Sequence, residues 1–597
     1  MNFVLKIPLK PRWKLDFSQT PGEDWFNDDP NARIYLEEEK MKCHQSTDFS
    51  GNRFIIVGDF IVPAGDRDKS DKFIKEFLED FKPEKLREAR GNFYLISVNE
   101  AKQNVSVFNS LFSILPVYYH EMRDHIIVSS RLDSILKISR QTFELSKRYI
   151  LEHLLFGYGF LNDTYFNGIK LLPANHFFEV RDNLLTISSH TRISDFFMAE
   201  PLTWKSSVDS LSDLFIERAS DYLPDEPYYS SLTGGLDSRT LLALGLSLNK
   251  QLTAYSYGSE DDKDVWIPGE ICKSLGLNYQ PFILDEKYAI NDFFHNAKGA
   301  NYITEGTIRF SRATYMYMAD EISKATDYMI SGIFGSELMR TTRMYGNLVS
   351  HIVFDMFQSM SDLELSKRVR NSPKLRYIIS DYFRDEIAEI IQECIEYKNK
   401  FKKGLSPNQR FYNFMYEEVF RKYFGSELIL ENRYLINRTP FLDFKFITEL
   451  FKTELAGCNG RYMTKSPFER YKGQVLYPTI IKKTYPRLLN YKLDREYYPR
   501  NFLSLSGRIR ITTGFLLRKT LLDKKRYRQP GYNYQAIKIN INKISKINYN
   551  FPFINNNEFS LLFDNERWKR DHINFNIYIS LLDYLDQVKQ IHRNVKF

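Results

Sequence analysis

Cysteine is scarce: the 597 residues hold four, Cys43, Cys272, Cys394 and Cys458, and no two form a CxxC pair. That excludes a disulfide framework and a thiolate zinc site, and it fits a reducing compartment. Long apolar runs are missing as well. None approaches the roughly 18 residues of a membrane span, and the opening Phe3-Val4-Leu5-Lys6 breaks at Pro8, Lys10, Pro11 and Arg12 before a signal-peptide core forms. The expectation is a soluble, cytoplasmic protein without a membrane partner. Net charge is small, since 83 basic against 75 acidic residues leave +8. Spread over this length it does not call for nucleic acid, and phosphate-bearing small molecules suffice as partners. No internal repeat is present, and self-association is left open.

What is there is ample core material: 43% hydrophobic and 15% aromatic residues, in a chain too long for one ordinary core. Two or three domains are expected. From about Asn52 to Val180, short β-branched and aromatic runs recur, such as Arg53-Phe54-Ile55-Ile56-Val57-Gly58 and His125-Ile126-Ile127-Val128, which read as strands. The grammar changes near Pro201. Trp204 to Tyr222 carries helical spacing, Tyr228 to Leu232 reads as a strand, Ser238 to Leu248 as a helix, and Leu252 to Tyr257 and Tyr279 to Leu284 as strands. This β-α-β alternation implies a parallel sheet with ligands at the carboxyl ends of its strands. Asp327 to Ser331 reads as one further strand, Asn347 to Leu430 as mostly helical, and Arg508 to Phe597 as a basic, partly helical extension with loop composition from Asn540 to Asn557. The expected division is 1–200, 201–507 and 508–597.

The segment richest in chemistry is Tyr228-Tyr229-Ser230-Ser231-Leu232-Thr233-Gly234-Gly235-Leu236-Asp237-Ser238. An apolar strand enters two glycines and a helix follows at once, so backbone N–H groups and the positive end of a helix can receive a phosphate. Asp237 would repel that anion unless a divalent cation stood between them, which makes it a magnesium ligand. The alternative is that Asp237 or Ser238 caps the helix.

This turn resembles the S-G-G-x-D-S loop of the ATP pyrophosphatases, with Thr233 keeping the first hydroxyl. Asn437-Arg438-Thr439-Pro440-Phe441-Leu442-Asp443 resembles the R-x-P-F-L-D segment of asparagine synthetases, and Gly91-Asn92-Phe93, Pro116-Val117-Tyr118-Tyr119, Val128-Ser129-Ser130 and Gly168-Ile169-Lys170-Leu171-Leu172-Pro173 resemble landmarks of the class II glutamine amidotransferase domain. The resemblance is to the asparagine synthetase family and covers roughly residues 50 to 500. It implies an α/β chain: an N-terminal αββα amidotransferase-like (Ntn-type) domain, then an adenine-nucleotide hydrolase-like (PP-loop) parallel-sheet domain with a helical lobe. It also implies an AMP-forming carboxylate–amine ligase that uses ATP and Mg²⁺. The nucleotide would lie against Leu232, Thr233, Gly234, Gly235, Asp237, Ser238, Tyr257, Ser331 and Gly332.

The sequence departs from that family in four places. Class II amidotransferases expose an N-terminal cysteine, whereas here Asn2 stands second; Cys43 is too deep to replace it and reads as a small buried hydrophobe. Asn109, Ser110 and Ser113 replace an R-D pair and a glycine, so glutaminase chemistry is expected to be absent, as in β-lactam synthetase, carbapenam synthetase and lasso-peptide cyclases. The family's G-x-G-x-D-E stretch appears as Gly332-Ile333-Phe334-Gly335-Ser336-Glu337, which leaves Glu337 either as the metal-holding acid or as the start of a surface helix. The family's phosphate-facing lysine falls at Arg495, with Lys492 as the alternative and a plain cationic loop as the other reading. Asp264 either orients the nucleotide or caps a helix. Two further readings stay open: a catalytically silent scaffold, and a tRNA-modifying ATP pyrophosphatase suggested by Arg508, Arg510, Arg518, Lys519, Lys524, Lys525, Arg526 and Arg528.

Overall fold

The computed structural model describes residues 2–10, 12–17, 31–37, 43–139, 141–342, 348–358, 360–400, 404–521 and 531–596. Its N-terminal part is built on two six-stranded sheets. Side chains alternate across a strand, and that alternation decides the layers. Phe3, Leu5 and Ile7 of Asn2–Pro8 interleave with Ile55, Ile96 and Val107 of the second sheet. The outer face of the second sheet, through Phe54, Ile56 and Leu95, packs on Ile74, Phe77 and Leu78 of the helix Ser70–Leu78. Val4 and Ile127 on the other outer face join Leu132, Ile135 and Leu154 of the helices Leu132–Ile138 and Lys147–Phe156. The layers are therefore helix, sheet, sheet, helix, as expected for this part.

A separate sheet has five parallel strands in the order Tyr279–Ile283, Leu252–Gly258, Tyr228–Ser231, Tyr328–Ile330, Ile436–Arg438. The strand that comes first in the chain lies in the middle, its two successors lie on one side, and the last two lie on the other. Strand order thus reverses between Tyr228–Ser231 and Tyr328–Ile330, and such a reversal opens a crevice at the carboxyl ends. The strand expected to reach Leu232 ends at Ser231, and the helix expected from Ser238 begins at Asp237.

Helices fill most of 351–431, including a π-helical stretch, Met415–Phe424. The extension departs from expectation. The helix Tyr532–Ile544 runs into the stretch expected to be loop, because Ile537, Asn540 and Ile544 share one buried face and Asn540 Nδ2 donates to Ala289 O at 2.6 Å. Further on, His572–Ile591 is a core helix, and Val595–Lys596 pairs in parallel with Phe143–Glu144. The extension is thus woven into the molecule. Arg508 lies over the Trp204 ring at 4.5 Å, while Lys524, Lys525, Arg526 and Arg528 lie outside the described residues. Cys43 is exposed, contrary to expectation, because Cys43–Thr47 is an edge strand whose odd residues face solvent. Among the described residues no helix is long and apolar enough to cross a membrane.

Candidate active site

The two loops that meet at the strand reversal are 232–236 and 331–334. In the first, Thr233 N–H donates to Ser238 Oγ at 3.0 Å, Gly235 N–H to Thr233 Oγ1 at 3.2 Å, and Gly234 N–H to Asp264 Oδ1 at 2.9 Å. Asp264 is therefore a brace on the turn. The helix that follows has Leu236 at its N-cap, a residue unable to accept a hydrogen bond through its side chain, so the positive end of Asp237–Ser247 is left without a side-chain cap.

Asp237 does not cap the helix. Its half-buried carboxylate accepts from Ser336 Oγ at 2.9 Å and from Tyr477 OH. Burial pushes its pKa up, while the two hydroxyls and the Arg340 charge draw it back. Glu337 is half-buried as well and sits in the same field: its pKa is pushed up to about 7 by burial first, with the charge of Asp237 adding to the rise and Arg340 opposing it. Two carboxylates and one guanidinium thus share the crevice.

The second loop is bent by a strained residue. Phe334 adopts φ 75°, a left-handed conformation that bulky side chains rarely take. It stands where the G-x-G-x-D-E pattern has its second glycine. Its fully buried ring lies 4.8 Å from Phe420 and 4.9 Å from Phe424, and this packing holds the bend. The bend brings Gly335 so close to Asp237 that an added Cβ would lie 2.5 Å from Oδ1, while one on Gly332 would lie 3.0 Å from Ser238 N. Both glycines are required by close approach.

The other expected residues are distributed as follows. Leu232 N–H donates to Tyr255 O, Ser331 N–H to Arg438 O and Gly332 N–H to Ser231 Oγ, so these three amides serve the sheet. Tyr257 OH donates to Tyr315 OH at 3.2 Å. Ser331 Oγ is buried and has no hydrogen-bond partner among the described residues. Lys492 is exposed; Arg495 is half-buried against Tyr471, 5.7 Å from its ring. The R-T-P-F-L-D segment is structural. Arg438 donates to both oxygens of Asp59 at 2.8 Å, and Asp443 caps Phe444–Phe451 through Phe446 N–H while accepting from Arg218. Sequence reasoning missed Tyr477 and Arg340, which no local pattern links to the turn. It also missed Arg239, which the loop motif itself could have flagged.

Near Asn2 the sandwich is closed by hydrogen bonds. Asn109 Nδ2 donates to Leu115 O, and Ser113 Oγ accepts from Asn175 N–H. A cavity of about 90 Å³, lined by Asn2, Asn109, Arg131 and Glu305, lies between the sandwich and the helices and includes no residue of the glycine turn.

Residues 219–454 match the asparagine synthase family model. Asparagine synthetase [glutamine-hydrolyzing] 1 of Bacillus subtilis (strain 168) is 20% identical over 383 residues, which is 63% of this chain and 55% of that protein. The chain therefore spans little more than half of that relative's length. A solved structure of glutamine phosphoribosylpyrophosphate (PRPP) amidotransferase from B. subtilis, complexed with ADP and GMP, aligns over 47% of this chain and 59% of that one at 7% identity and a TM-score of 0.19, too low to weigh. The matched stretch begins before the glycine turn and ends after Asp443, so the part of the chain that carries the parallel sheet is similar to the asparagine synthase family.

Proposed function

We propose that the protein is an ATP-dependent ligase that joins a carboxylate to an amine, releasing AMP and pyrophosphate, without glutaminase activity of its own. The observation that carries this is the glycine turn at the strand reversal, with an uncapped helix end and a braced Asp237 facing the same crevice. The residues fit the substrate and its metal: glycines at 332 and 335 leave no room for a Cβ, Ser331 Oγ is a buried hydroxyl with no hydrogen-bond partner among the described residues, and Asp237 and Glu337 supply hard oxygen donors. Among the described residues no three acidic, His or Cys side chains gather. Mg²⁺ is commonly held by one or two carboxylates together with phosphate oxygens.

Asp237 and Glu337 would hold Mg²⁺, which when bound offsets the charge of the leaving pyrophosphate. The turn receives the β- and γ-phosphates, and Tyr257, Ser331 and Gly332 flank the nucleoside. A substrate carboxylate oxygen attacks the α-phosphorus, the α–β bridge breaks, and pyrophosphate leaves under the field of the helix end and of Arg495 or Lys492. The amine then attacks the acyl carbon, a proton is lost from nitrogen, and AMP departs. Positioning dominates both steps.

Asn2 offers no thiolate to form an acyl-enzyme with glutamine, so glutamate release from glutamine should stay at background. Asn2→Cys should not restore it, since Asn109 and Ser113 are committed to structural hydrogen bonds. Ser336, whose hydroxyl occupies Asp237 where the family pattern has an acid, favours the silent-scaffold reading. Titration with MgATP separates the two: at one hundred times its Kd a ligand stabilises by about 2.7 kcal/mol, whereas a silent scaffold that binds no nucleotide shows no shift in melting temperature.

A further inference from the structure

The segment 491–497 lies across the glycine turn, and three independent contacts dock it there. Asp494 N–H donates to Gly234 O at 3.0 Å. Lys263 Nζ donates to Asp494 O at 2.9 Å and pairs with Glu496. From below, the Arg239 guanidinium donates to Tyr491 O at 2.6 Å and to Lys492 O at 3.0 Å. Gly234 is so close that an added Cβ would lie 2.9 Å from Asp494 Cβ.

Arg239 is an unfavourable residue for its place. It is 0% exposed and is the third residue of the helix Asp237–Ser247, so its charge is both out of water and at the positive end of a helix. Among the described residues its Nε has no partner, and Asp494, whose charge draws it back toward its ordinary pKa, belongs to the docked segment. A methionine would fill comparable space without those costs. What only the planar fork supplies is a grip on two consecutive carbonyls.

We infer that Arg239 is a positioning residue that fixes segment 491–497, and with it the cations Lys492 and Arg495, over the phosphates of bound ATP. The inference rests on the ATP-cleaving reading above. Arg239 does not reach the phosphates itself; it acts through the backbone whose side chains do.

The test is a double-mutant cycle read as the MgATP dissociation constant by calorimetry, with melting temperature recorded for each protein. Arg239→Lys keeps the charge and loses the fork, and is expected to weaken MgATP about tenfold. Combined with Arg495→Ala and with Lys492→Ala in turn, it should add less than about twofold to whichever of those weakens binding, because a released cation has nothing further to lose. Lys263→Ala, a change outside the core, should show the same non-additivity and keeps the test available if Arg239→Lys does not fold. Penalties that multiply independently with both cations, or a lowered melting temperature with unchanged MgATP affinity, would overturn the inference. A wild-type protein that binds no MgATP would instead remove the reading on which it rests.

Discussion

At the scale of single residues, the site turns on Asp237. Both of its oxygens are already held, by Ser336 and Tyr477, so the carboxylate is preorganised rather than free to swing. Asp237→Asn keeps the shape and an acceptor but removes the charge, and should lower pyrophosphate release by about two to three orders of magnitude, roughly 3 to 4 kcal/mol. Because the side chain caps nothing, melting temperature should barely change; lost stability with retained turnover would reject the role. Gly234, Gly235 and Asp237 were legible in the sequence because they lie within one turn. Tyr477 was not, since it meets Asp237 from 240 positions away, and Arg340 approaches through field alone. The same limit applies to Arg438 and Asp443, whose motif was readable but whose partners, Asp59 and Arg218, were not.

At the scale of elements, two loops are pressed together by conformations their side chains barely tolerate. Phe334 at φ 75° bends one loop, at an ordinary cost of about 1–3 kcal/mol for such strain, and glycine contacts close the other. Gly234→Ala should push segment 491–497 off the turn by forcing a Cβ to within 2.9 Å of Asp494 Cβ. The expected outcome is MgATP affinity reduced by about tenfold or more with a small change in melting temperature, since the clash falls at a surface loop; unchanged affinity would show that the segment is not part of the site. Four of the five strands of the parallel sheet, and the helices before and after the first of them, could be read to within a residue or two, as periodicity there reports burial directly, whereas Ile436–Arg438 was not read as a strand. The helix through Asn540 was hidden by composition: asparagine reads as loop, yet this one is buried and satisfied by Ala289 O.

At the scale of the whole molecule, the sandwich and the parallel sheet are joined by buried polar contacts. Arg438 and Asp59 are about nine-tenths buried and bidentate. Removing one partner of such a pair strands the other charge, so Arg438→Met should cost about 3–5 kcal/mol in denaturant unfolding, and adding Asp59→Asn should recover part of it. A loss below about 1 kcal/mol would mean that the pair is solvated in solution.

Glu305 forms a second link, accepting from Tyr118 OH and from Leu132 N–H of the sandwich. Its pKa is pushed up to about 7, by burial first, with those hydrogen bonds and Arg131 opposing. The folded state therefore holds this proton more tightly than the unfolded chain, and the associated stability is full below the ordinary glutamate range and lost as pH rises through about 7. Between pH 5 and 8 the wild type should lose melting temperature relative to Glu305→Gln; parallel curves would contradict this.

The central claim concerns which bond of ATP is cut, and nucleotide product analysis reads it directly. Protein incubated with MgATP and a panel of carboxylates and amines should yield AMP and pyrophosphate in equal amounts with at least one pairing, and Asp237→Asn should yield both about two to three orders of magnitude more slowly. ADP with orthophosphate, or no nucleotide turnover across the panel, would contradict the account.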